Sequence, residues 1–247
     1  MKRVKTYTDA GVVREVKVFN VADRVDVKTA RPPRPRFKDE AEREAHRLGI
    51  ARRRHAARVN ANFTPASLYG TFTCGSAYEL HTFAEGRQVM DNFVRKVKYY
   101  FPDAKIMMYM GRGKTTHRIH FHILCDGVPE AELRKLWTFG EVARIDHLRE
   151  HNYYNGIDHG PDYTGLANYL FDHWTPEQGS RRWRGTRNLA KPKPGRPMEV
   201  KREYSETRPP RTPKGYILVE CQKTKYGYFY FKFVRKPAPR SRAKRQP

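Results

Sequence analysis

One short run limits what this chain can become. Over Ile119-His120-Phe121-His122-Ile123-Leu124, apolar residues recur at every second position with histidines between them. That is the period of a β-strand and not of a helix. A strand over 116–124 puts His120 and His122 on one face, a few ångströms apart, and turns Phe121 into a core. Two neutral imidazoles on one face can share a divalent metal, each giving a ring-nitrogen lone pair. His117, three residues upstream, falls on the opposite face. An isolated pair of this kind is more often a surface or core pair than a metal site, so the rest of the chain has to decide the matter.

Residues 162–174 have helical spacing. Leu166, Leu170 and Trp174 make an apolar stripe, and Tyr169 flanks it, one turn from both Gly165 and His173. Upstream, the pattern predicts strands over 66–76 and 104–110 and a helix over 86–100 with Val89, Phe93, Val97 and Tyr100 at helical spacing. Arg112-Gly113-Lys114 is the turn of a hairpin into the histidine strand. A helix opened by Pro129 ends near Trp137, a short strand covers 142–145, and 149–161 is a polar loop. This order predicts an α+β fold, a split antiparallel sheet with helices on one face.

The flanks are less regular. Residues 1–30 form either a hairpin or an extended segment, and Arg31-Pro32-Pro33-Arg34-Pro35-Arg36 is a linker, since the prolines forbid helix and central strand. Residues 38–60 predict a highly charged helix with a thin apolar face. A solvated edge helix and a contact to a DNA backbone are equally good readings of it. Residues 190–213 are a loop or arm, and 216–220 with 227–234 make a final hairpin.

Charge narrows the partner. The 247 residues carry a net charge of +24, which points to a polyanion, nucleic acid before an anionic membrane or the ribosome. Aromatics, 13% of the chain, allow base stacking beside phosphate contacts. Arg181, Arg182, Trp183, Arg184 and Arg187 gather both chemistries in one stretch and are the candidate DNA contacts. Cys74, Cys125 and Cys221 form no CxxC pair, which suggests a reducing compartment without structural zinc. No apolar run is long enough for a membrane span, and the first residues lack a signal core. A cytoplasmic protein is expected, with no membrane partner.

The histidine strand followed by a tyrosine helix resembles the HUH endonucleases, and among them the rolling-circle replication initiators of plasmids, integrative elements and phages. The likeness extends through Leu136-Trp137-Thr138-Phe139-Gly140-Glu141-Val142, and Thr186-Arg187-Asn188-Leu189 looks like the Ser-Arg-Asn-Leu signature of one branch. Asn62-Phe63 and Gly70-Thr71-Phe72-Thr73 look like that branch's first strand. The resemblance implies an HUH or RRM-like split β-α-β core over 61–235, after a basic N-terminal extension of 1–60 (linker and helix) and before a disordered basic tail of 236–247.

It also implies an activity. His120 and His122 would hold Mn²⁺ or Mg²⁺, Tyr169 would attack a scissile phosphate of single-stranded or origin hairpin DNA, and a 5′-phosphotyrosine intermediate would preserve the bond for rejoining. No Walker A motif occurs, so host helicase and polymerase would be needed. Two departures stand out. The family's Glu on the strand before the histidines has no counterpart in 106–111, leaving Glu79, Asp126, His117 and Asp172 as candidate third ligands. The family's Lys three residues after the tyrosine is Asp172 here, and His173 is a candidate to take the tyrosine's proton. A transposase or mobilisation relaxase on the same strand, or a non-catalytic single-stranded nucleic-acid-binding protein, are the alternatives.

Overall fold

The computed structural model describes residues 1–78, 80–113, 118–173 and 182–237. The elements, in chain order, are β1 (Lys2–Ala10), β2 (Val13–Val21), α1 (Glu40–Asn62), β3 (Leu68–Thr73), α2 (Phe83–Tyr100), β4 (Lys105–Arg112), β5 (Ile119–Asp126), α3 (Glu130–Leu136), β6 (Val142–His147), β7 (Tyr153–Tyr154), β8 (Ile157–Asp158), α4 (Thr164–Asp172), β9 (Trp183–Gly185), β10 (Met198–Glu199), β11 (Tyr216–Lys223) and β12 (Tyr228–Arg235). The fold is α+β with antiparallel sheets. Among the described residues no helix is long and apolar enough to cross a membrane. The chain divides into two compact units. One comprises 39–149 and 163–192, the other 1–38, 150–162 and 193 onward. This differs from the linear division expected above: α1 belongs with the histidine sheet, and the N-terminal strands belong with the final hairpin.

In the histidine unit the sheet order is β6-β3-β5-β4-β9, with every neighbouring pair antiparallel. Strand alternation sorts the side chains into two layers. Phe72, Phe121, Ile123, Met108 and Met110 pack with Phe93, Val97, Leu133 and Trp137 from α2, α3 and the residue after α3. The rings of Phe72, Phe93 and Trp137 lie 5.0 to 5.8 Å apart, the separation of packed aromatic pairs. Met107, Tyr109 and Leu124 point the other way, into a second layer with Ala56 and Val59 of α1 and Ala167 and Leu170 of α4. Helices therefore cover both faces of the sheet, not one. α1 packs there through its C-terminal turns, where His55, Ala56, Val59, Asn60 and Asn62 are buried, whereas Ala41, Ala45 and Ala51 of the expected apolar face are exposed, so the larger part of the helix is a solvated edge.

Local chemistry fixes the helix ends. Asp39 accepts the N–H of Glu42 at 2.7 Å to start α1. Thr82 and Glu85 form a capping box on α2. α4 has no side-chain cap of its own. Instead Asn60 of α1 accepts the Tyr163 N–H at 2.8 Å and donates to Thr164 Oγ1 at 3.2 Å, tying the start of the tyrosine helix to α1.

In the other unit the two ends of the chain make one five-stranded sheet, β10-β1-β2-β12-β11. The first residues do form a hairpin, turning at Gly11 with φ 60°. Its second strand pairs with β12, from Val13 opposite Val234 to Phe19 opposite Tyr228. The expected polar loop of 149–161 contains the short β7–β8 hairpin. Beside it, Lys232 Nζ meets Asp162 Oδ2 at 2.7 Å, both side chains buried.

Candidate metal centre and tyrosine

β5 presents His120, His122 and Leu124 on the face covered by α1 and α4, and Ile119, Phe121 and Ile123 on the face covered by α2 and α3. α4 ends at His173, one turn beyond Tyr169, and this brings a third imidazole to the histidine pair. His173 Nε2 lies 2.7 Å from His120 Nε2 and 3.3 Å from His122 Nε2. The three ligand nitrogens fall within 4.8 Å of one another. Imidazole nitrogens bound about 2.1 Å from one ion at right angles would be about 3 Å apart, so the spacing suits a shared cation.

The surroundings suit it as well. His122 is buried, and its Nδ1 faces Tyr69 Oη at 2.9 Å and Thr71 Oγ1 at 3.2 Å, contacts that orient the ring and aim Nε2 at the cluster. Burial, followed by the neighbouring imidazoles, pushes the His122 pKa down to about 3. Burial lowers His120 and His173 in the same direction. All three are therefore neutral donors at pH 7, the form a metal requires.

The missing carboxylate has a steric explanation. β4 runs beside β5 with Tyr109 opposite His122 and Gly111 opposite His120. A Cβ on Gly111 would sit 2.3 Å from His173 Nε2 and 2.9 Å from His120 Nε2. No side chain fits at 111 while His173 is there, so the third member of the cluster is an imidazole from the end of the tyrosine helix and not a residue of β4. The other candidates are placed elsewhere. Asp172 pairs with Arg52, Asp126 accepts from Ser67 Oγ at 2.6 Å, and Glu79 and His117 lie outside the described residues. His173, expected to take a proton from the tyrosine, turns its Nε2 to the other histidines instead. The signal for it was one turn of helix after Tyr169, but the contact it makes is long-range.

Tyr169 is half exposed. Its ring centroid is 6.0 Å from that of His122 and 5.1 Å from that of His173. Leu170 and Phe171 are buried beside it and Leu166 partly so; Trp174 lies outside the described residues. Tyr163, by contrast, is buried, and its hydroxyl donates to the Arg149 carbonyl at 3.2 Å.

The proposed DNA contacts do not form one surface. Arg181 lies outside the described residues. Trp183 turns inward, half-buried, with the Arg58 guanidinium 5.1 Å from its ring. Arg182 lies over Phe171 and donates to its carbonyl at 3.1 Å. Arg184 is on the α2 side of the sheet, paired with Asp91. There it lines a cavity of about 460 Å³ with Arg187, Arg95 and Lys98. Of the Thr186-Arg187-Asn188-Leu189 stretch, Thr186 bonds Ile106, Asn188 bonds the carbonyls of Asp103 and Ala104, and Leu189 is buried. Those three latch β9 to the edge of β4, leaving Arg187 exposed.

No family model matches the chain, and neither a curated protein nor a solved structure is significantly similar to it.

Proposed function

We propose that the chain is a metal-dependent single-stranded DNA nickase and strand transferase of the HUH type, acting as a rolling-circle replication initiator on single-stranded or hairpin origin DNA. One observation carries the reading: three neutral imidazole nitrogens converge beside a half-exposed tyrosine on the helix that supplies one of them. The β-α-β-β-α-β order of β3 to β6 supports it, being the arrangement of a split β-α-β sheet.

In the reaction, Tyr169 Oη attacks the scissile phosphorus. The new Oη–P bond replaces the P–O3′ bond, the 3′ oxygen leaves and takes up a proton, and the phenol proton passes to solvent at the exposed ring. A cation on His120, His122 and His173 would neutralise charge on the phosphate oxygens. Three nitrogen donors favour Mn²⁺ over Mg²⁺, which prefers oxygen. Reversal by the 3′-hydroxyl rejoins the strand, since the phosphodiester energy is kept in the tyrosine linkage.

The test is incubation with labelled single-stranded origin DNA and Mn²⁺, followed by peptide mapping of the covalent product. Tyr169→Phe is expected to bind DNA and give no adduct. An adduct at Tyr153, Tyr154 or Tyr163 would refute the assignment. No adduct under any metal would favour a non-catalytic nucleic-acid-binding protein.

A further inference from the structure

The unit built from the two chain ends holds a cavity of about 370 Å³ that the histidine site does not use. Arg3 stands opposite Asn20 across β1 and β2, and Val18 opposite Phe229 across β2 and β12. With Asn20 two residues from Val18, all four share one sheet face. Tyr204 and the turn from Ser205 to Arg208 close the other side. That turn is fixed by reciprocal backbone bonds of 3.1 and 3.2 Å and by the Ser205 Oγ accepting the Arg208 N–H at 3.0 Å. Arg3 is held by the Arg202 carbonyl at 3.1 Å and by Glu203 at 3.0 Å, which balances that carboxylate. The side chains of Asn20 and Arg208 make no hydrogen bond or ion pair among the described residues.

We propose that this cavity binds one nucleotide of a single-stranded DNA segment, the base stacked on Tyr204 or Phe229 and the phosphate on Arg208. Ligand cavities run from roughly 300 to 1,000 Å³, and this one, near the lower end of that range, has room for a single nucleotide. Aromatic walls beside an unpaired guanidinium are the means by which proteins hold single strands irrespective of sequence. The free Asn20 amide offers both a donor and an acceptor to a base edge. The charge of the whole unit agrees: its residues include 27 Lys and Arg against 11 Asp and Glu. A merely solvated charged face would not enclose a cavity with aromatic walls. The choice of DNA as the polymer rests on the function proposed above, whereas the chemistry of the cavity does not.

The experiment is fluorescence anisotropy of a labelled oligothymidylate with the full chain, in EDTA, over a range of salt concentrations. Tyr204→Ala should weaken binding by about tenfold or more, while Tyr204→Phe retains it. Arg208→Ala should lower the slope of log affinity against log salt by about 0.7, the loss of one phosphate contact on a single strand. Wild-type affinity and slope in both Tyr204→Ala and Arg208→Ala overturn the site. Competition by thymidine monophosphate at concentrations comparable to the oligonucleotide overturns the polymer as ligand. Tighter binding of the corresponding RNA overturns the choice of DNA. The His120→Ala, His122→Ala double variant should bind as the wild type does in EDTA while losing nicking. Failure of the histidine reading is thereby kept apart from failure of this one.

Discussion

The His173 ring fills the space that a side chain at position 111 would need. A Cβ at 111 would meet the His173 ring at 2.3 and 2.4 Å, and separations under about 3 Å force something to move. The neighbour on the other side is His120, which β5 holds in register, so His173 is the group displaced. Gly111→Ala should therefore lower Mn²⁺ affinity by about 10- to 100-fold, the cost of disturbing the shell that orients a ligand, with little change in the unfolding midpoint of the metal-free protein. Calorimetric titration of metal into the variant checks this, and unaltered affinity would remove His173 from the donor set. At this scale the sequence was half legible. His120 and His122 follow from a period-two pattern within one strand, which needs no tertiary information. His173 depends on where α4 lands on the sheet. The trace of that landing was indirect: a glycine on β4 where a carboxylate was expected, and a histidine one turn past a tyrosine.

α4 is nine residues long, with the tyrosine within it and the third imidazole on the residue that follows, too short a helix to persist by its own hydrogen bonds. Its N-terminus is capped from α1 by Asn60, its middle is held by Ala167, Leu170 and Phe171, Asp172 at its end pairs with Arg52 of α1, and His173 brings that end to the histidines of β5. A metal shared with β5 would add a tether at that end. Addition of Mn²⁺ should slow amide exchange across α4 in the wild type and leave it unchanged in His173→Ala, as read by hydrogen-exchange mass spectrometry. Equal protection in both would show that the helix end is fixed without the ion. The elements themselves were largely legible, because the strands and helices of the histidine unit other than β9 announce themselves by local period, whereas β9 lies within what reads as an arginine cluster. Which face each helix covers was not legible. α1 buries His55, Ala56, Val59, Asn60 and Asn62 at its C-terminal end, a mixed set that carries almost no apolar period.

At the scale of the molecule, the terminal sheet escaped a local reading altogether. Its two hairpins are each visible as alternation, but the bond between them joins Val13 to Val234, and nothing within either run names its partner. The net charge of +24 was legible at once, although not its distribution. The 181–187 stretch reads as one basic patch, yet strand alternation at β9 sends Trp183 inward and Arg184 to the α2 side. What remains there is a smaller group: Arg95, Lys98 and Arg187 around one cavity, with Arg184 neutralised by Asp91. Lys98 reaches the Ala104 carbonyl at 3.5 Å, and Arg95 and Arg187 make no ion pair among the described residues. Unpaired cations facing an open cavity are the ones that phosphates can engage with release of counterions, so their removal should register in the salt dependence. The double variant Arg95→Ala, Arg187→Ala should lower the slope of log affinity against log salt by about 1.4 on single strands, or about 1.8 on duplex, two contacts at the usual increments. Metal affinity at the histidines should not move, because this group lies on the opposite face of the sheet. A slope equal to that of the wild type would mean that the cavity is solvated and that DNA tracks over other cations of the chain.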